Sequence, residues 1–327
     1  MTPSELSRTV VRVVRSAVHE GALGPAPVAD LAVKVERPRP GGRGDYASGI
    51  ALKLAAAAGL PPRRVAEVLR ERIAGQPGIA LVEISGPGFL NITLDRAAHN
   101  DVVRQVREAG LRYGYGDAFR GEGFVFAARA EERARIVVEV VARLLVAQGA
   151  HARVVEQGGA DLPVAGCPVP GLAGLVGADA ARWAMLRAAR HDRPRTDVEE
   201  LLAQRESNSL FRVRYAYSRS RALTRNAAEL GFASEAGPVP EGEALLVLLG
   251  DHPAVLEGAA RHHAPDRLAR HLEAVADDLL HFQHQVLPLG DEKPSAAHRS
   301  RLALAEAAGT VLAGGLSLLG IDAPELL

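Results

Sequence analysis

Only three lysines, Lys34, Lys53 and Lys293, occur among the 39 basic residues of this 327-residue chain, so its positive charge is almost wholly arginine. The single cysteine, Cys167, excludes a disulfide framework and a multi-cysteine metal site. No long apolar h-region opens the chain and no apolar run of membrane-spanning length stands out, which predicts a soluble, cytoplasmic protein with no membrane partner. Gly-x-Gly-x-x-Gly, the P-loop and the nucleophile elbow are missing. No fixed-period repeat is present. With 39 basic and 39 acidic residues the net charge is zero, which argues against indiscriminate nucleic-acid binding.

That neutral total hides an uneven distribution. Residues 1–116 hold sixteen basic against eleven acidic residues, whereas residues 226–327 hold six against fifteen. The length predicts two domains, each with its own core. Leu6, Val10, Val13, Val14 and Ala17 recur at helical spacing behind Thr2-Pro3-Ser4-Glu5, a helix start. Leu31 to Glu36 alternates like a strand, and a Pro/Gly/Arg loop follows from Arg37 to Gly44. Helices are predicted over residues 50–58 and 61–73, then strands over 79–84 and 89–94 joined by a Gly86-Pro87-Gly88 turn. This order describes a compact α+β domain ending near Arg112.

From Gly177 to Arg225 the pattern turns helical. Ala178, Ala181, Met185 and Leu186 repeat at helical spacing around Trp183, and Pro194 stops the run. Thr196 with Glu199 reads as a capping box for the next helix. From Leu210 onward, Arg214, Arg221 and Arg225 fall on one stripe beside Tyr217, and Val213, Ala216, Leu223 and Ala227 form the opposite, buried flank. Eleven arginines against five acidic residues lie between Arg182 and Arg225. Guanidinium groups at that density suit phosphate recognition, and a solvated basic face is the equal alternative.

Gly177-Ala-Asp-Ala-Ala-Arg182 resembles the motif that names the DALR anticodon-binding domain of arginyl-tRNA synthetases. Asn208, Tyr215, Ala216 and Arg219 match the family's Asn-Pro…Gln-Tyr-Ala-His-x-Arg segment, and Ser209, Arg214 and Tyr217 depart from it. Residues 316–325 resemble the family's C-terminal signature, with Leu327 where the family closes on methionine. Gly44-Asp45-Tyr46-Ala47 and the segment 86–94 are similar to the family's extra N-terminal domain, which grips the tRNA corner at the D-loop. Carried over by motif, the resemblance implies contact near a nucleobase for Phe89 and Asn91. Charge and loop position make Arg37, Arg39 and Arg43 the phosphate candidates. The alternation favours Phe89 as a strand core residue, and Asn91, between Leu90 and Ile92, faces out.

Residues 117–176 read as one βαβ unit, strand 124–127, helix 131–148 and strand 152–156, followed by a Gly/Pro-rich linker from Gln157 to Gly174. The helix resembles the one that follows the family's His-x-Gly-His signature. In that register the four signature positions are Ala128, Arg129, Ala130 and Glu131, without histidine, and no Lys-Met-Ser-Lys loop is present. His281 and His284 share a helix with Asp277 and Asp278, and nothing else supports a metal there.

The expectation is an α+β N-terminal domain (1–112), a short βαβ remnant with linker (113–176) and an all-α C-terminal helical bundle of DALR type (177–327). No catalytic residue, cofactor or metal is expected. The resemblance implies tRNA-binding without aminoacylation activity, with an arginine tRNA as partner, a tRNA-dependent enzyme as a further one, and no DNA. The tRNA-binding candidates are Arg37, Arg39, Arg43, Phe89, Asn91, Arg182, Arg214, Tyr217, Arg219, Arg221 and Arg225. The alternatives are a protein-interaction module and an accessory subunit of a separate arginine–tRNA ligase.

Overall fold

The computed structural model describes residues 3–24, 33–38 and 43–327. The chain divides into two compact units, Met1–Val102 and Val103–Leu327. The middle segment 113–176, expected as a βαβ remnant and linker between two domains, falls inside the second unit.

In the first unit, α1 (Pro3–His19) is followed by β1 (Tyr46–Ser48), α2 (Ile50–Ala58), α3 (Pro62–Ala74), β2 (Ile79–Ser85) and β3 (Phe89–Leu94). The predicted helical stripe of α1 is buried in full. Gly59 ends α2 in the left-handed conformation and donates back to the last turn. The antiparallel sheet has the order β1-β3-β2. Leu90, Ile92 and Leu94 of the central strand join Val82, Tyr46 and the helices in one core. The predicted strand over 31–36 survives among the described residues as a single bridge between Glu36 and Ala47. Residues 31 and 32 lie outside them.

Gly44 explains part of the Gly-Asp-Tyr-Ala motif. Its φ is +77°, and a Cβ there would sit 2.9 Å from the Ile92 carbonyl, so only glycine fits. Asp45 then accepts a hydrogen bond from the Leu94 backbone N–H at 2.7 Å and stitches the loop to β3.

A helix that the sequence pattern did not reveal, α4 (Arg96–Ala109), leads into the second unit. There β4 (Gly123–Ala127), α5 (Glu132–Ala147) and β5 (His151–Val155) form the expected parallel βαβ unit. The stretch 157–174 is not the loose linker expected. Ala160 pairs with Phe126 as a third strand position, and Leu162 and Leu172 are buried. The Pro and Gly content reflects a chain that bends often while packing. Next come α6 (Leu172–Val176), α7 (Ala178–Arg187), α8 (Val198–Leu202), α9 (Ser209–Glu229), α10 (Glu243–Arg261), α11 (Pro265–Phe282) and α12 (Ala296–Leu319). Thr196 does not cap α8; the Asp197 carboxylate does, accepting from the Glu200 N–H at 2.8 Å. By length and composition α12 could cross a membrane, contrary to the reading of the sequence, yet 78% of its apolar window is buried inside the unit, as suits a core helix.

Arg133, on α5, is fully buried. Its Nε donates to the Met185 carbonyl (3.0 Å), Nη1 to those of Ala165 (2.6 Å) and Asp192 (2.5 Å), and Nη2 to those of Ala188 (3.1 Å) and Ala189 (2.9 Å). All five N–H donors are thereby used on backbone oxygens, among them the Met185 carbonyl in the last turn of α7 and that of its C-cap Ala188. Burial pulls the Arg133 pKa below its ordinary value, and the Glu131 carboxylate pulls the other way.

Candidate nucleic-acid interface

In the first unit the candidate surface is the face of the sheet that no core residue occupies. Phe89 and Asn91 stand two positions apart on β3, so both point to that face, away from Leu90 and Ile92. The expectation of a core position for Phe89 is therefore corrected: its ring is 42% exposed, because it stands at the strand end. A Cβ on Gly49 would meet that ring at 3.4 Å, so the ring rests on bare backbone. Asn91 is only 8% exposed, although it points outward. It is flanked by Ala47 on β1 and Glu83 on β2, and its Nδ2 donates to the Ser85 hydroxyl at 2.8 Å. Leu81, on the same face, adds apolar surface. Arg43 reaches the face through an ion pair with Glu83 at 3.4 Å. Arg37 is exposed, and Arg39 lies outside the described residues.

The second unit uses its arginines differently. Arg182 donates from Nε to the Leu319 carbonyl at 2.7 Å and from Nη2 to Glu139 at 3.1 Å. It ties α7 to the end of α12 and is no free phosphate ligand. Arg187 makes a two-pronged pair with Glu273 (2.5 and 3.3 Å). Arg212 pairs with Asp277 at 2.6 Å, and Arg219 donates to Gln283 at 2.8 Å. Arg214 holds Asp179 and the Asp322 carbonyl, and Arg221 pairs with Glu325 at 3.2 Å. Among the described residues, Arg193, Arg195 and Arg225 are the members of this arginine-rich run whose side chains have no such partner. The stripe predicted on α9 is thus real as a row of positions, but only Arg225 carries its charge unpaired. Tyr217 lies in that row, its phenol pKa raised by burial first and by the Glu325 carboxylate second.

Asn208, read as a motif residue, acts locally. Its Oδ1 caps α9 by accepting from the Leu210 and Phe211 N–H groups, while its Nδ2 donates to the Leu201 and Ala203 carbonyls. Ser209 accepts the Trp183 indole N–H at 2.9 Å, a bond that proline could not provide. The sequence reading missed a pair on the exposed side of the same helix. Phe211 and Tyr215 stack with centroids 5.9 Å apart and planes at 10°, and Tyr215 is 39% exposed. The signal was there as two aromatics at i and i+4. A nearby hollow of about 360 Å³ is lined by Arg195, Asp197, Glu199, Glu200, Leu201 and Arg205, and its mixed signs favour no single ligand charge.

In the βαβ segment, Glu131 caps α5. Burial pushes its carboxyl pKa up, and hydrogen bonds from the Ala134, Cys167 and Arg133 backbone N–H groups more than offset this, leaving it lowered. Among the described residues, no group of three or more His, Cys, Asp or Glu side chains converges as a metal site.

Residues 5–94 match the arginyl tRNA synthetase N terminal domain, and residues 213–327 match the DALR anticodon binding domain. Its two ends thus carry the N-terminal and anticodon-binding domain types of arginyl-tRNA synthetases. It is 44% identical over 161 residues to the arginine–tRNA ligase of Renibacterium salmoninarum, covering 46% of this chain and 29% of that protein. For the Micrococcus luteus ligase the figures are 44% over 124 residues, 37% and 22%. These matches therefore span under a third of either relative's length. With the arginine–tRNA ligase of Frankia alni the alignment is 26% identical over 552 residues and covers 99% of this chain and 100% of the relative. The fold is shared with the Thermus thermophilus arginyl-tRNA synthetase (TM-score 0.72, 13% identity, 100% of each chain). It is also shared with that of Plasmodium falciparum (TM-score 0.68, 8% identity, 99% of each chain).

These findings overturn the expectation that the chain is no enzyme by itself. It aligns end to end with a whole arginine–tRNA ligase and with the folds of whole synthetases, and a lost activity is not shown. The expectation rested on the four signature positions in one register, on the lack of a Lys-Met-Ser-Lys loop and on the shortness of the middle segment. There Glu131 has a local capping role, which carries no information about the reaction.

Proposed function

We propose that this chain binds an arginine tRNA through two surfaces, the open sheet face of the first unit and the α9 face of the second. The observation that carries the reading is the exposed Phe89 ring on an otherwise polar strand face, in the domain whose family grips tRNA. Base–aromatic stacking is worth about 1–3 kcal/mol, and a surface phenylalanine gains it at little conformational cost. On α9 the Phe211–Tyr215 stack offers a second aromatic platform, with Arg219 one turn further along the helix. The relatives are named arginine–tRNA ligases, so this reading has the chain hold the tRNA substrate of that reaction.

The test is equilibrium binding of transcribed arginine tRNA to the full chain, alone and against a tRNA of another acceptor identity. Phe89→Ala and Tyr215→Ala should each weaken binding fivefold or more, and their losses should add in the double variant. Binding should weaken steeply with salt, as phosphate contacts require. Salt-insensitive binding, or no loss in either variant, would favour a protein-docking role instead. Transfer of arginine to the bound tRNA, followed in the same preparations, reads the ligation step directly.

A further inference from the structure

The last residues of the chain lie along the arginine row of α9. Gly320 ends α12 in the left-handed conformation and turns the chain. The Asp322 carbonyl then accepts from Arg214 Nε at 2.9 Å, and the Asp322 N–H donates to Asp179 at 3.3 Å. Further on, the Glu325 carbonyl accepts from the Ser218 hydroxyl at 3.1 Å, and the Glu325 carboxylate pairs with Arg221 at 3.2 Å. Arg214, Ser218 and Arg221 are spaced i, i+4, i+7, a rise of about 10.5 Å. Three extended residues, from 322 to 325, span about 10 Å. The tail and the helical row therefore match in length.

The two ends of this contact differ. Arg214 and Asp179 are 20% and 28% exposed, so that end is built into the fold. Arg221 and Glu325 are 41% and 55% exposed, so that end is open to exchange. A carboxylate and a phosphate offer a guanidinium the same paired oxygens.

We propose that Glu325 is a built-in competitor for RNA phosphate at Arg221, so that the C-terminal tail restrains RNA binding until a phosphate displaces that one side chain. This rests on the reading of α9 as an RNA-binding helix. In the free protein Glu325 holds Arg221 in place and hides its charge; in the complex the Asp322 end stays docked and the Glu325 end lifts.

The experiment measures binding of a transcribed arginine tRNA to the full chain at low salt, for wild type, Glu325→Gln, Arg221→Gln and the double variant. Glu257→Gln is the control, because it frees Arg261 from an equally exposed pair elsewhere in the unit. Glu325→Gln should bind about two- to fivefold more tightly, the range that an exposed ion pair represents. Arg221→Gln should bind more weakly, and the double variant should match Arg221→Gln, because the competitor has lost its target. Glu257→Gln should equal wild type, and all variants should melt close to it. Should Glu325→Gln bind no better than wild type while Arg221→Gln weakens binding, the competitor role is overturned and the RNA reading stands. Equal gains from Glu257→Gln and Glu325→Gln would overturn it too, leaving net charge as the cause. If wild type binds no tRNA, both readings fall.

Discussion

The first unit leaves one aromatic and one loosely paired arginine in the open, whereas the second has most of its arginines engaged in contacts within the unit. Phe89 stands on a strand end with bare backbone beneath it, and Arg43 has one exposed acid for company. In the second unit Arg182, Arg187, Arg212, Arg214 and Arg219 all grip other elements of the same unit. Arginine density thus measures two things, available charge and internal stitching, and only the partners tell them apart. On the proposed reading, RNA contact by the second unit draws on the unpaired Arg225, on aromatic surface and on exposed pairs such as Arg221–Glu325 that a phosphate can open.

That comparison can be broken from its strongest point down. Arg133→Leu should cost ~4 kcal/mol or more in urea denaturation, since it removes a fully buried guanidinium and takes the donor from five carbonyls, most of them partly buried, at about 1–3 kcal/mol for each one left unsatisfied. A loss below about 1 kcal/mol would mean that other donors reach those oxygens. Arg214→Ala should cost ~2 kcal/mol, because it leaves the half-buried Asp179 carboxylate without its guanidinium. Arg225→Ala, by contrast, should stay within about 0.5 kcal/mol, as surface substitutions do. Equal costs for these two would erase the distinction between stitching and free arginines.

A third test uses protons. His252 on α10 is buried between the Tyr113 ring, stacked at 5.9 Å, and His271 of α11 at 5.2 Å. Burial first, and the neighbouring His271 second, hold its pKa well below the ordinary histidine range. The unfolded chain takes up that proton at about pH 6.5 while the folded chain refuses it. Stability of the second unit should therefore fall as pH drops below about 6.5, by up to about 1.4 kcal/mol per pH unit for this group. His252→Phe should flatten the slope between about pH 6.5 and 5. An unchanged slope in that variant would assign the acid sensitivity to other groups. The smallest effect on the fold belongs to Phe89→Ala, about 0.5 kcal/mol or less in stability, alongside its fivefold or greater loss of tRNA affinity. A large stability loss would return Phe89 to the core.

Periodicity missed β1 and α4 but made α1, α2, α3, β2 and β3 legible, because each of these shows one apolar stripe. The same holds for α9, whose Val213, Ala216, Leu223 and Ala227 are all buried as read. Partners were not legible. Arg214 meets Asp179 across 35 residues and Arg182 meets the Leu319 carbonyl across 137, and nothing in a local pattern encodes such distances. Neighbouring capping residues also misled: Thr196 and Asp197 are both good caps, and the backbone chose the second. For Asn91 the alternation was sound, since it points outward; for Phe89, read from the alternation as a core residue, it was not, since a residue two positions from Asn91 shares its face. Exposure was decided by place in the sheet, the end of a strand against the middle of the central one. The two domain matches were readable from short motifs at both ends of the chain. Whether the chain charges tRNA was not readable from signature positions in one register.

Arg133 has one more consequence, for how this chain can vary over time. Its five hydrogen bonds go to main-chain oxygens, which every amino acid supplies, so residues 165, 185, 188, 189 and 192 are free to change identity without disturbing it. Their number is another matter. Inserting or deleting a single residue between 165 and 192 would shift at least one carbonyl out of reach of a rigid fork. As far as Arg133 is concerned, what this stretch must keep is its length, a ruler made of backbone and read by one side chain.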